Sequence, residues 1–102
     1  MDIKIIRGRV QLREYDLSEH AHSERQEEQI TTEEIEQTIF KGSIIEKYPK
    51  DKRGPSYLVA SKKLHIICGF RGERLLIITV YRPKKPIWID FKTRAKELKD
   101  RE

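Results

Sequence analysis

Cysteine occurs once in this chain, at Cys68, which excludes an internal disulfide and any zinc site built from several thiolates. Long apolar runs are missing too. The longest cover residues 66–68 and 75–80, the latter interrupted by Thr79, against the roughly 20 residues that a spanning helix needs. Aromatic side chains make up 8% of the 102 residues and apolar ones 36%, which excludes a large buried core. The first four residues carry an acid and no apolar stretch, so no secretory signal is predicted. These absences point to one small domain in a reducing, cytoplasmic compartment, with no membrane contact.

Charge is what the chain has in quantity: 38% of its residues are ionic and the net charge is +5. Residues 1–50 hold 8 basic and 11 acidic side chains, whereas residues 51–102 hold 14 basic and 6 acidic. The second half is thus a basic body, and a basic face attracts phosphate backbones through counterion release. A solvated surface that merely keeps a small protein soluble would look similar.

Ile3, Ile6 and Val10 recur at helical spacing, which predicts a short N-terminal helix with Gly8 as its weak point, although residues 3–5 would also suit a strand. Tyr15, Asp16 and Leu17 then form a brief extended link. Ser18 is a good N-cap for a second helix reaching about Gln29. That helix has Ala21 as its single apolar residue. It is either a loosely held connector, or its polar inner face works in a site containing His20, His22 and Arg25. The third helix is the clearest. Thr31 and Glu34 match a capping box, Ile30 and Ile35 a hydrophobic staple, and Ile35 and Ile39 share one face. Gly42 is expected to stop it as a left-handed C-cap.

After Gly42 the pattern changes to strands at residues 44–48, 57–60, 64–68 and 75–81, the middle two joined by a hairpin across residues 61–63. Short connections imply antiparallel neighbours. The expected fold class is α+β, with two or three N-terminal helices on one face of a four-stranded antiparallel meander. Residues 1–90 form this single domain, and residues 91–102 a basic tail or short solvated helix.

Strand alternation places His65 and Ile67 on one face and Ile77, Thr79 and Tyr81 on one face of the next strand. A register pairing Ile67 with Ile77 brings His65 opposite Thr79. Leu64, Ile66, Cys68, Leu76, Ile78 and Val80 then form the core face, leaving a polar cleft on the other side. Two histidines, an arginine and a tyrosine are enough to cleave RNA without a metal. One imidazole takes the ribose 2′-hydroxyl proton, the freed oxygen attacks the neighbouring phosphorus, a second acid protonates the leaving oxygen, and a guanidinium stabilises the phosphate charge. His20 and His65 are the proton-transfer candidates, with Tyr81 as an orienting or acid group and Thr79 beside it. Arg25 and Arg82 would bind phosphate, with Lys84 and His22 on the substrate side. The competing reading makes His65 a satisfied core histidine and His20 and His22 exposed helix residues. No metal is expected, because His20 and His22 point about 200° apart on a helix. Trp88, behind the basic run 82–86, would stack on a single strand or pack the end of the sheet.

The runs Tyr15-Asp-Leu-Ser-Glu-His-Ala21, Ile30-Thr-Thr-Glu-Glu-Ile35, Gly42-Ser-Ile-Ile-Glu-Lys-Tyr-Pro49, Gly54-Pro-Ser-Tyr-Leu-Val59, Leu64-His-Ile-Ile67 and Ile77-Ile-Thr-Val-Tyr-Arg-Pro83 resemble, in that order, a family of small prokaryotic domains of unknown function. The resemblance spans about residues 3–90. Family members are often encoded beside zinc-finger antitoxins of the YgiT type. They have been grouped with RelE-like and MqsR-like ribonuclease toxins of the barnase–EndoU–colicin–RelE fold group. The resemblance implies a RelE/MqsR-like α+β fold and a toxin of a type II toxin–antitoxin system. Its activity would be that of a metal-independent, cofactor-free endoribonuclease of the mRNA interferase kind, with RNA and a cognate antitoxin as partners. His20, His65, Thr79 and Tyr81 match family positions. The commoner pattern has arginines where this chain has Glu24 and Glu28, and Arg25 stands about 100° round the helix from the first of them. The alternative function is a non-catalytic module that docks a protein or nucleic acid through its basic face. A third is a purely structural accessory protein of a phage or mobile element.

Overall fold

A computed structural model describes residues 2–52 and 54–83. The Lys84 and Trp88 expectations and the expected tail at residues 91–102 lie outside the described residues.

Three helices and five strands follow one another as α1 (Ile3–Gln11), β1 (Tyr15–Leu17), α2 (Glu19–Glu27), α3 (Thr32–Lys41), β2 (Ser43–Tyr48), β3 (Ser56–Ala60), β4 (His65–Arg71) and β5 (Arg74–Tyr81). The fold is α+β, as its pattern predicts. Asp2 caps α1 by accepting the Lys4 N–H at 3.0 Å, and the helix runs through Gly8 without a break. The capping box of α3 is complete, with reciprocal Thr31–Glu34 bonds of 3.0 and 3.1 Å. Ile30 and Ile35 are both buried in the core. Helices α1 and α3 supply Ile6, Val10, Ile35 and Ile39 to a core whose sheet side is Tyr57, Val59, Leu64, Ile66, Cys68, Leu75, Ile77 and Val80.

Three expectations are corrected. The sheet has five strands in the order β1-β5-β4-β3-β2, because the Tyr15–Leu17 link is itself a strand. It runs parallel to β5, pairing Tyr15 with Leu75 and Leu17 with Ile77, and makes an antiparallel meander into a mixed sheet. Three residues are too few to display a period; the pairing exists because α1 returns the chain to the free edge of β5. Gly42 is not left-handed. Its backbone is extended, at φ −82° and ψ −171°, while the positive φ values that follow helices fall on Arg13 (59°) and Gln29 (55°). Gly42 is needed for closeness: a Cβ there would lie 2.5 Å from the Ala60 and Thr38 carbonyl oxygens. Third, the β4–β5 register slips. Ile67 pairs with Thr79 and His65 with Tyr81, but Cys68 pairs with Ile77, so Ile78 is an extra residue in a bulge. The bulge turns Leu75 and Ile77 into the core in place of Leu76 and Ile78, while Val80, beyond it, keeps its expected side.

The nearly apolar-free helix α2 is held by polar bonds. Ser18 donates its N–H to the Ile77 carbonyl at 2.9 Å, ending the pairing of β1. Its hydroxyl accepts the Ala21 N–H at 3.0 Å as the N-cap and donates to the Ile78 carbonyl at 2.8 Å. Beyond this point the edge of β5 opposite β4 has no strand partner. One turn apart, in α2 and at its C-cap, Glu24 accepts the Val80 N–H at 3.1 Å and Glu28 the Arg82 N–H at 3.4 Å. Two carboxylates thus stand in for the missing strand, and only Ala21 reaches the core.

Candidate functional site

The sheet face turned away from the core carries a ladder of cross-strand neighbours. Ser43, Ala60, His65 and Tyr81 form one row, and Glu46, Leu58, Ile67 and Thr79 the next. His65, Thr79 and Tyr81 therefore share a face, as strand alternation predicts, although His65 stands opposite Tyr81 rather than Thr79. The His65 Nδ1 lies 3.3 Å from the Tyr81 hydroxyl, and the two rings meet edge to face at 5.3 Å between centroids. His65 is completely buried, with 0% of its surface exposed. Tyr81 is half-buried and reaches solvent. A groove of about 400 Å³ opens on this face between Asp51 and Lys52 of the β2–β3 loop and Ile67, Ile78 and Thr79. The bulge at Ile78 forms one of its walls.

His20 sits in the first turn of α2. Its Nε2 lies 3.2 Å from Glu24 Oε1, with the imidazole 66% exposed and the carboxylate 21%. Glu24 is itself fixed by the Val80 N–H. The imidazole is thus oriented by a carboxylate that the sheet holds still. His20 and His65 have different neighbours: the first lies beside Glu24 and the second beside Tyr81. His22 is exposed on α2.

Arg25 is half-buried, and its Nε is buried with no hydrogen-bond partner among the described residues. Its charge acts on the Tyr15 phenol, whose hydroxyl donates to Glu36 at 2.5 Å. Burial first, then the Glu36 bond and charge, push the Tyr15 pKa up to about 12, with Arg13 and Arg25 opposing them. Arg82 is committed to the fold. Its guanidinium grips both Glu34 oxygens at 3.1 Å and donates to the Gln29 carbonyl at 3.2 Å and the Glu28 carbonyl at 3.4 Å. It ties the end of α2 to the start of α3. The Arg82 hydrogen bond, followed by the Thr31 backbone bond, holds the Glu34 carboxyl below its usual range. Cys68 is buried in the core, which pushes its thiol up to about 12 and leaves it protonated and inert.

Of the expected residues, the fold brings together His65, Tyr81 and Thr79. It sets His20 and Arg25 on a different element and uses Arg82 as a clamp. Glu24 is the residue that sequence reasoning passes over as a mere departure from an arginine; the i, i+4 spacing from His20 is the signal that could have found it. Among the described residues no group of three or more His, Cys, Asp or Glu side chains could hold a metal, and no helix is long and apolar enough to cross a membrane.

No significant match exists among curated proteins or solved structures. A family model described as a domain of unknown function, DUF4258, matches residues 17–82, from the end of β1 to just past β5. That span holds α2, α3, the whole antiparallel meander and every candidate side chain among the described residues, and it covers well over half of the sequence: the chain belongs to the DUF4258 family.

Proposed function

We propose that this protein is a toxin-type endoribonuclease of the RelE/MqsR-like kind, which cleaves RNA without a metal and is restrained by a cognate antitoxin. The observation that carries the reading is the His20–Glu24 pair, an exposed imidazole whose Nε2 lies 3.2 Å from a carboxylate anchored by the Val80 N–H. With a proton on the Nε2 beside Glu24, Nδ1 keeps its lone pair and can take the ribose 2′-hydroxyl proton. The attacking oxygen then forms a cyclic phosphate and expels the 5′-oxygen. Tyr81 supplies the proton to that leaving group, with buried His65 acting behind it as a positioning residue. Arg25 offers the guanidinium for the phosphate charge, and His22, on the same helix, a further contact to substrate.

The test is cleavage of a labelled RNA in EDTA by protein purified free of any antitoxin. Wild type cuts; His20→Ala and Glu24→Gln lose the activity, and Glu24→Gln keeps an oxygen for the Val80 N–H and so keeps the fold. RNA left intact by wild-type protein sinks the enzyme reading. A second reading, a binding module without chemistry, is favoured by the complete burial of His65 and the commitment of Arg82 to Glu34. Induction in a bacterial host separates the two, since a ribonuclease toxin arrests growth and a passive module does not.

A further inference from the structure

A second groove, of about 450 Å³, lies on another part of the molecule, between α3 and the β3–β4 turn. Lys41 from the last turn of α3 and Lys62 and Lys63 from the tip of the turn line it. All three are exposed, and among the described residues none makes an ion pair. Glu34 also lines the groove, but its carboxylate is held by both arms of the Arg82 guanidinium. The groove is therefore cationic, with its carboxylate already neutralised.

Its walls are also fixed relative to one another. The Ser61 N–H donates to the Leu64 carbonyl at 2.9 Å, and the Ser61 hydroxyl accepts the Leu64 N–H at 3.3 Å, which closes the turn around Lys62 and Lys63. Gly42, at the end of α3, lies so close to the Ala60 carbonyl that no Cβ would fit between them. The lysine-bearing tip and the helix end are thus pinned at a set separation. Three ammonium groups on a pinned frame suit a ligand with repeated negative charges, and long flexible lysine side chains follow a backbone rather than read bases.

We propose that this groove binds the phosphate backbone of single-stranded RNA and so positions substrate on the protein. The proposal rests on the RNA-directed reading above for its choice of ligand, but not on the cleavage chemistry. Binding is measured by fluorescence anisotropy with a fluorescein-labelled 2′-O-methyl oligoribonucleotide, which lacks the nucleophile and cannot be cut by the proposed route. The full chain is titrated from 50 to 200 mM salt. Replacing Lys41, Lys62 and Lys63 together by Ala is expected to weaken binding at low salt by roughly tenfold to a hundredfold. It should also lower the slope of log K against log salt by about 2, at roughly 0.7 per phosphate contact on a single strand. The same number of charges is removed in a control, Lys4→Ala with Lys47→Ala and Lys50→Ala, all exposed and outside the groove. Equal losses in the two triple variants, or no loss in the groove variant, overturn the proposal. So does displacement of the oligomer by an equal charge concentration of oligo-glutamate, which would mark the groove as a site for acidic protein. A wild type that binds through the groove but leaves unmodified RNA intact defeats the enzyme reading and keeps this one.

Discussion

The Glu24 carboxylate accepts the Val80 backbone N–H at 3.1 Å, and the same oxygen lies 3.2 Å from His20 Nε2. One side chain therefore closes the open edge of β5 and aims the exposed imidazole. Any change at Glu24 acts on stability and on the candidate chemistry together, and the two effects can be told apart by choosing what replaces it.

Glu24→Ala leaves the Val80 N–H without its acceptor in a partly buried place. The expected loss is about 1–3 kcal/mol, the cost of an unmade buried bond, read from urea unfolding midpoints. Glu24→Gln retains an acceptor and should cost under half as much. A Gln variant as unstable as the Ala variant would show that charge on α2, rather than the bond to β5, holds the helix.

Gly42→Ala forces a methyl group to within 2.5 Å of two backbone oxygens, those of Ala60 and Thr38. Neither can swing aside as a side chain would, so α3 must shift against β3. A destabilisation of about 1–3 kcal/mol or more is expected, the scale of overpacking, and thermal unfolding measures it. The extended backbone at this position is open to any residue, so an unchanged melting temperature would mean that the close approach is easily relieved.

Arg82→Ala removes the fork on Glu34 and two carbonyl contacts at the α2–α3 junction. Both partners are more than a third exposed, at 34% and 38%, so the loss should be a surface-pair value of about 1 kcal/mol. Arg82→Lys should recover little of it, since an ammonium cannot bridge both carboxylate oxygens with two parallel bonds. Full rescue by Lys, seen in chemical denaturation, would reduce the clamp to simple charge attraction.

Acid should weaken the fold through two carboxylates. The Arg74 hydrogen bond is the main cause holding the Asp16 carboxyl below its ordinary value, and the Arg82 bond does the same for Glu34. A carboxyl with a depressed folded-state pKa contributes stability that is fully present above its unfolded value, about 4. That contribution is lost as pH falls through the lower folded value. Melting temperature followed from pH 7 to pH 3 should therefore decline mainly below about 4. The decline should be shallower in Asp16→Asn. An unchanged acid limb in that variant would remove Asp16 from the account.

Much of this architecture was readable from residues 30–81. A capping box, a pair of isoleucines one turn apart and four β-rich runs with short joins are local signals, and each leads to its own element. The pairing of β3 with β4 followed from the three residues between them. The partners of α2 were not readable in the same way. Its acids point at backbone N–H groups more than 50 positions away, and a backbone donor carries no side-chain signature. The candidate site was legible in part for the same reason. The shared face of His65, Thr79 and Tyr81 follows from alternation, but the complete burial of His65 and the capture of Arg82 by Glu34 depend on what packs against them.

The order and type of the three helices and the four later strands, the basic second half and the capped third helix were thus determined by the chain's own local chemistry, because turn residues, caps and hydrophobic period act over a few positions. The fifth strand, the bulge at Ile78, the reason for Gly42 and the pairing of His20 with an anchored Glu24 were decided only by tertiary structure. Each depends on which backbone groups meet across the fold, and backbone donors and acceptors are the same at every residue until folding brings two of them together.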